Sequence, residues 1–376
     1  MAKVHVPAES EAGERRVAAT PDSVAALAST GSDVHVERSA GVAAGFSDRD
    51  YEAAGAALVD AAAVGEADIV VRVAPPSVDD VTAMRSGSVL LSFIAPHRNP
   101  EVVRALTAGG VSTLCMELVP RISRAQSIDA LSSQANIAGY RAVITAAYEL
   151  DKYFPLFMTA AGTIRPATVV VLGAGVAGLQ AVATAKRLGA VVKVSDIREA
   201  AKAEVASLGA SFIDVPEAED LTDEGGYAKE AGEDFLARQR EALTAAISSA
   251  HAVIATAQIP LRAAPQLVTA EMVAAMPAGG VVVDLAAADG GNCALTDVDR
   301  VVEHDGVRII PGHDFPAQMA HEASALYARN ISSFVDLIVR DGVVVLDEDD
   351  EVVTGALLTH DGAITNDRVA TMLEEA

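Results

Sequence analysis

Three glycines and one acid offer the plainest chemistry in this sequence. Gly173, Gly175 and Gly178 stand in G-x-G-x-x-G spacing directly after the β-branched run Thr168–Val171. Asp196 follows a second apolar run, Val191–Val194, and lies 18 residues beyond the last glycine. In a strand–helix–strand unit each part has a job. The first glycine turns the chain tightly, the second lets backbone approach a pyrophosphate, and the third packs helix against strand. Free N–H groups at the helix start hold phosphate charge. The acid accepts from ribose hydroxyls and repels a 2′-phosphate, so the expected ligand is NAD(H) and not NADP(H). A glycine turn in an empty unit, or a methyltransferase-type nucleoside site, would share the pattern but not explain the whole ordered set.

A second polar concentration lies upstream, at Pro120–Gln134, reading PRISRAQSIDALSSQ. Asp129 or Ser127 can serve as an N-cap for a following helix. A cap does not account for Arg121, Arg124 and Gln126 beside it. Amide and guanidinium groups there can hold a carboxamide or ribose and so fix a nicotinamide ring, which needs positioning more than acid–base help. The competing reading is a cap with a solvated loop. The 8 histidines show no metal-ligand spacing, and His97, His313 and His321 read as structural. No metal site is expected, and G-x-S-x-G, C-x-x-C and H-E-x-x-H are absent from the sequence.

Elements must position these groups, and 376 residues call for two domains. A net charge of −24 argues against nucleic acid and against a basic membrane patch. Cys115 and Cys293 read as buried free thiols of a reducing compartment. The uncharged run Pro166–Ala185 carries the spaced glycines and so reads as nucleotide fold, not membrane span; no signal peptide is expected before the strand Val4–Val6. The N-terminal region alternates strands (Val4–Val6, Asp33–Val36, Ile69–Val73, Val89–Phe93, Val111–Cys115) with helices (Ser23–Ser29, Asp48–Ala56, Pro100–Ala108). Helical spacing then runs through Ser127–Phe154 and again from Ala320 to Ile338, which predicts two long connectors. Between them come six strands: Thr168–Leu172, Val191–Ser195, Ser211–Val215, Ala252–Thr256, Val281–Leu285 and Val307–Ile310. The acidic insertion Pro216–Asp234, with Gly225, Gly226, Tyr227 and Gly232, reads as a lid or a plain surface loop. The tail, Gly342–Thr365, reads as two β-rich runs that finish the first domain or extend an arm. The expected fold class is α/β: two doubly wound Rossmann-like domains with parallel sheets, joined by two long helices. The expected bounds are 1–131 with 331–376, and 132–330.

At this point the residues resemble a known family. Glu9–Val24, ESEAGERRVAATPDSV, is similar to the shared opening of alanine dehydrogenases and proton-translocating NAD(P) transhydrogenases, and Leu172–Asp196 fits that group's second signature. Met116–Val143, Gly225–Phe235 and Asp284–Leu295 resemble the NAD(H)-binding alpha component of the transhydrogenases in particular. The resemblance implies that Arg121, Gln126, Asp129 and Ser132 orient the nicotinamide for catalysis. It implies cofactor contacts from Arg121, Ile122, Ser123, Gln126, Ser127, Ile128 and Asp129, and from Gly173, Gly175, Val176, Ala177 and Gly178 at the pyrophosphate. Asp196, Ile197 and Arg198 would surround the ribose, Gly226 and Tyr227 would belong to a closing loop, and Gln239 and Gln258 would add contacts. The reaction implied is direct hydride transfer from NADH to NADP⁺ on a partner subunit, coupled to proton translocation through a membrane subunit. The component would be a homodimer, cytoplasmic and peripheral on the inner face of the plasma membrane through those partners.

The other branch makes a sharper demand. Oxidative deamination needs a carboxylate-binding arginine and a Lys/His pair for the imine. Arg16 suits the first role, but the lysine and histidine positions fall on Ala74 and Ala95, with His97 two residues away. A nucleotide-sensing module without turnover is the third class, and it would leave the polar loop idle.

Overall fold

A computed structural model describes residues 1–29, 31–215 and 232–375 of the chain. They form two compact units, residues 1–134 with 316–376, and residues 135–315.

In the first unit, runs of Val, Ile and Leu form strands buried on both faces, such as Ile69–Val71 and Val89–Ser92. Nearer the edge, Asp33–Glu37 alternates buried and half-buried residues instead. Six parallel strands run in the order Ala57–Val59, Asp33–Glu37, Lys3–Val6, Ile69–Val71, Val89–Ser92, Ser112–Cys115. The tail then adds Leu357–His360 and Ala363–Ile364, both antiparallel. The tail thus finishes this sheet, adding an antiparallel edge to a sheet that is parallel in its other six strands. The second β-rich run holds as strand from Leu357 onward and is corrected only in its first part: Glu351–Ala356 is a helix, because Asp350 caps it by accepting from the Val352 N–H, and Val352, Val353 and Ala356 bury one face. The core collects Val4, Val36, Ile69, Leu91 and Leu114 from the sheet with Tyr327, Ile331 and Phe334 of the long helix Ala320–Ile338.

The second unit repeats the strand order. Ser211–Phe212, Val191–Ser195, Thr168–Leu172, Ala252–Ala255, Val281–Asp284 and Val307–Pro311 are parallel neighbours in that sequence. The order reverses between Thr168–Leu172 and Ala252–Ala255, the crevice where doubly wound sheets bind ligands. An added strand, Val302–His304, pairs antiparallel with the last one. It turns through Asp305 and Gly306, whose φ values of 49° and 76° suit the tight hairpin that Asp-Gly favours. The chain passes from the first unit to the second inside the helix Ala130–Glu149, which ends ahead of Pro155. After it stands a small hairpin, Phe157–Thr159 with Gly162–Ile164, belonging to neither large sheet. Among the described residues no helix is long and apolar enough to cross a membrane.

Candidate functional site

The strand Thr168–Leu172 delivers the chain to Gly173, which holds φ +96° while its N–H donates to the Ser195 carbonyl at 2.8 Å. That φ is the left-handed region glycine enters at no steric cost. A Cβ on Gly173 would also stand 2.7 Å from the Thr256 hydroxyl, which itself donates to the Leu172 and Gly173 carbonyls at 3.0 and 3.1 Å. Gly178 is tighter still, since a Cβ there would lie 1.8 Å from the Gly173 carbonyl oxygen. Gly175 differs. A Cβ on it would meet nothing within 4 Å, and it opens the helix Val176–Arg187 with no side-chain cap. Two glycines are therefore required by the protein's own packing. The third borders open space at an uncapped helix start, where an anion is stabilised by the first N–H groups.

The single glycine of the first long helix belongs to the same structure. A Cβ on Gly139 would reach within 2.1 Å of the Ala177 carbonyl, so that helix lies directly against the start of the phosphate-binding turn.

At the end of the next strand, Asp196 accepts from the Ala174 N–H at 2.7 Å, from the Arg198 N–H and Nε at 2.9 Å each, and from Arg198 Nη2 at 2.8 Å. Burial pushes its pKa up, but the Arg198 guanidinium and the Ala174 N–H outweigh burial and hold the carboxyl below its ordinary range. Asp196 is thus anionic and locks the glycine turn to the second strand. Gln258 is exposed past the strand Ala252–Ala255, and Asn292 pins the intervening Ala257 through its N–H (3.0 Å) and carbonyl (2.8 Å). Gln239 is 6% exposed in the helix Glu233–Ile247, and Ile197 is half-buried beside Asp196. Gly226 and Tyr227 lie outside the described residues, as does the Pro216–Asp234 insertion up to residue 231. An open cavity of about 490 Å³ in this unit lies at Lys152–Pro155 and Arg187–Gly189, not at the glycines.

The polar loop belongs to the first unit. Asp129 caps the long helix: its Oδ1 accepts from the Ser132 N–H at 2.9 Å and its Oδ2 from the Ser132 hydroxyl at 2.6 Å. Arg124 is paired with Asp350 at 2.9 Å and ties the loop to the tail. Ile128 is buried in the core and could offer a ligand only its backbone, while Ile122 is half-buried and packs against that core. Arg121, Ser123, Gln126 and Ser127 are exposed, and the Gln126 amide makes no hydrogen bond among the described residues. A polar side chain left uncommitted beside committed neighbours is what a ligand contact requires.

Ala74 and Ala95 are buried at 3% and 6%. Two carboxylates lie against their backbones. Glu9 accepts from the Val73 and Ala74 N–H groups at 2.6 and 3.3 Å and faces Arg72 at 3.4 Å. Glu117 accepts from the Ile94 and Ala95 N–H groups at 2.8 and 2.6 Å and from the Cys115 thiol at 2.9 Å. Burial pushes Glu9 up to about 7 and raises Glu117 as well. Both are spent on backbone donors. Arg16 is likewise engaged, by Glu14 at 2.6 and 2.8 Å and by Gln134 at 2.9 Å. Sequence reasoning missed Glu9, Glu117, Thr256 and Asn292. The available signal was a charge inside an apolar run, as with Arg72 in IVVRVA and Glu117 after STLCM. Cys115 and Cys293 are both buried and free, and no group of three or more metal-ligating side chains occurs among the described residues.

Comparison with known proteins gives the site its family. Residues 5–138 match the family "Alanine dehydrogenase/PNT, N-terminal domain" and residues 142–367 match "Alanine dehydrogenase/PNT, C-terminal domain". An NAD(P) transhydrogenase alpha-subunit polypeptide of Rhodospirillum rubrum is 45% identical over 97% of this chain and 98% of its own. The crystal structure of transhydrogenase from Sinorhizobium meliloti superposes with a TM-score of 0.88 at 44% identity, covering 96% of this chain and 99% of that one. Alanine dehydrogenase of Bacillus subtilis is more distant, at 28% identity over 98% of this chain and 93% of its own. With its glycine turn, its acid and its polar loop all on matched residues, the chain belongs to the alanine dehydrogenase/PNT family.

Proposed function

We propose that this chain is the NAD(H)-binding subunit of a proton-translocating NAD(P) transhydrogenase. The observation that carries the reading is the pairing of a complete glycine cradle with Ala74 and Ala95, which supply no proton donor for an imine. The dinucleotide supplies the hydride. The protein's part is to hold and aim. Val176, Ala177 and Gly178 present the helix start to the pyrophosphate, with Gly173 and Gly175 shaping the turn. Anionic Asp196, with Ile197 and Arg198, receives the ribose and disfavours a 2′-phosphate, so NAD(H) is the ligand. Arg121, Gln126, Asp129 and Ser132 orient the nicotinamide, Ile122, Ser123, Ser127 and Ile128 contribute further contacts, and Gln239 and Gln258 complete the set. Hydride exchange between two nicotinamides needs alignment and exclusion of water, not an acid or a base.

The relatives' names place an alpha subunit within a larger enzyme. For this chain we take the partners to be an NADP(H)-binding subunit and a membrane proton-channel subunit, which would hold it on the inner face of the membrane. A homodimer is part of the proposal, and the exposed apolar hairpin Phe157–Ile164 supports it.

The test is reconstitution. Mixed with the NADP(H)-binding subunit of a transhydrogenase, the chain should catalyse reduction of an NAD analogue by NADPH, and neither protein should do so alone. Given alanine and NAD⁺ it should form no NADH. Steady NADH production from alanine would overturn the proposal in favour of a deaminating dehydrogenase.

A further inference from the structure

One buried amide ties the polar loop to the long helix Ala320–Ile338. Asn330 is 7% exposed. Its Nδ2 donates to the Ser127 carbonyl at 2.8 Å, and its Oδ1 accepts from the Ser133 hydroxyl at 2.8 Å. These two contacts bracket Asp129, and Gln126 directly precedes the first of them. The contacts continue as a chain of polar groups. Gln134 Nε2 donates to the Ser133 hydroxyl at 3.3 Å and to the Ala323 carbonyl at 3.1 Å, while its Oε1 accepts from Arg16, itself held by Glu14. Such buried networks fix geometry when every member is satisfied.

The residue type is informative. Tyr327, Ile331 and Phe334, around Asn330 on the helix, are wholly buried. An apolar side chain would pack there without desolvating an amide, which costs free energy unless both ends are bonded. A neutral amide donates to a carbonyl through its nitrogen and accepts from a hydroxyl through its oxygen, as Asn330 does here. Leucine does neither, and aspartate would set a charged oxygen against the Ser127 carbonyl.

We infer that Asn330 is the positioning residue of the polar loop. It fixes the Ser127 carbonyl and the Ser133 hydroxyl, and thereby sets where Gln126 and Asp129 stand during hydride transfer. The inference rests on the proposal that this loop orients the nicotinamide. A residue of this kind shapes turnover more than binding, because the glycine turn and Asp196 carry the nucleotide's affinity.

The experiment compares Asn330→Ala, Asn330→Asp, Ser133→Ala, Gln126→Ala and Asp129→Ala in the full chain. Each is measured for NADH affinity by nucleotide fluorescence, for hydride transfer with the NADP(H)-binding subunit added, and for amide hydrogen exchange across 121–132. Asn330→Ala and Asn330→Asp should each slow transfer about tenfold and change NADH affinity less than threefold, with exchange at Ile128, whose N–H donates to the Ala125 carbonyl, faster by about tenfold (about 1.4 kcal/mol of lost protection by the tenfold rule). Ser133→Ala loses one contact and should slow transfer about threefold; it decides the matter if the Asn330 variants do not fold. Normal transfer in Asn330→Ala, with Gln126→Ala and Asp129→Ala slow, overturns this inference and leaves the loop's role standing. Normal transfer in all of them overturns the loop reading itself. Equal losses of transfer and NADH affinity in Asn330→Ala also overturn the inference, since the residue would then only support the fold.

Discussion

Gly175 and Gly178 share one motif but answer to different demands. At Gly178 a Cβ would overlap the Gly173 carbonyl at 1.8 Å, so helix and turn must separate to admit it. Over-packing of that kind costs about 3 kcal/mol at sites that cannot relax. At Gly175 a Cβ meets nothing within 4 Å, and the residue has an ordinary extended φ of −72°. Gly178→Ala should therefore lower the melting temperature clearly and weaken NADH binding along with it. Gly175→Ala should melt within about 0.5 kcal/mol of the parent, as a surface change does, yet bind NADH about tenfold more weakly. Thermal melts paired with NADH fluorescence titrations check both. Full affinity in Gly175→Ala would mean that no pyrophosphate approaches this backbone.

The hairpin Phe157–Ile164 is the element whose form least explains itself. A two-stranded hairpin is marginal alone, yet every residue of both strands is exposed, with Met158 at 77% and the preceding Leu156 at 54%. Tyr153, 56% exposed, extends the apolar surface, its ring 4.6 Å from that of Phe157. An exposed apolar element of this length calls for a covering partner, and a second copy is the occupant we propose. Phe157→Glu with Met158→Glu should convert a dimer to monomers in sedimentation while leaving the melting transition cooperative. A dimer that survives both charges would place its interface elsewhere. The hairpin also shows where sequence reading ends. The strands and helices around the glycine turn were legible because burial on both faces writes continuous apolar runs, as in Thr168–Leu172 and Val281–Asp284. The stretch Phe157–Ile164 has no such pattern, and its Ala160–Ala161 turn carries no hairpin signal. The tail helix Glu351–Ala356 was misread as β-rich because two valines outweighed the Asp350 cap. For the candidate site, residue type and spacing made legible the glycine turn after the first strand and the acid after the second, and marked Asp129 as a helix cap. Asn330 was not legible, because an asparagine in a long amphipathic helix has no distinguishing neighbours until the fold brings Ser127 and Ser133 to it.

Across the whole molecule, stability against pH is a sum of opposing protons. Glu9 is buried and its carboxyl sits at about 7 instead of 4.5. Between those values the folded chain keeps a proton that the unfolded chain has released. Stability from this group therefore falls as pH rises from 4.5 to 7, by about 3 kcal/mol in total, and is flat above. His5 acts in the other direction. Burial, then His35 and Arg72, lower it to about 4 from 6.5, so the unfolded chain takes up a proton that the fold refuses and stability falls as pH drops through that window. The net charge of −24 adds a repulsion that grows as carboxylates ionise and is screened by salt, whereas a group shielded from solvent is screened far less. The bulk profile therefore mixes all three, and a difference of two profiles separates them. Melts of the parent and Glu9→Gln in about 1 M salt, from about pH 5 to about pH 8, share His5 and nearly all of the surface charge. Whatever constant offset the amide brings, the stability of Glu9→Gln relative to the parent should climb as pH rises to about 7 and then level off. A difference that stays flat across the range would mean that Arg72 and the Val73 and Ala74 N–H groups keep Glu9 ionised throughout. In that case the charges packed behind Ala74 form a permanent ion pair, and the acid response of the molecule comes from buried His5 and from its surface.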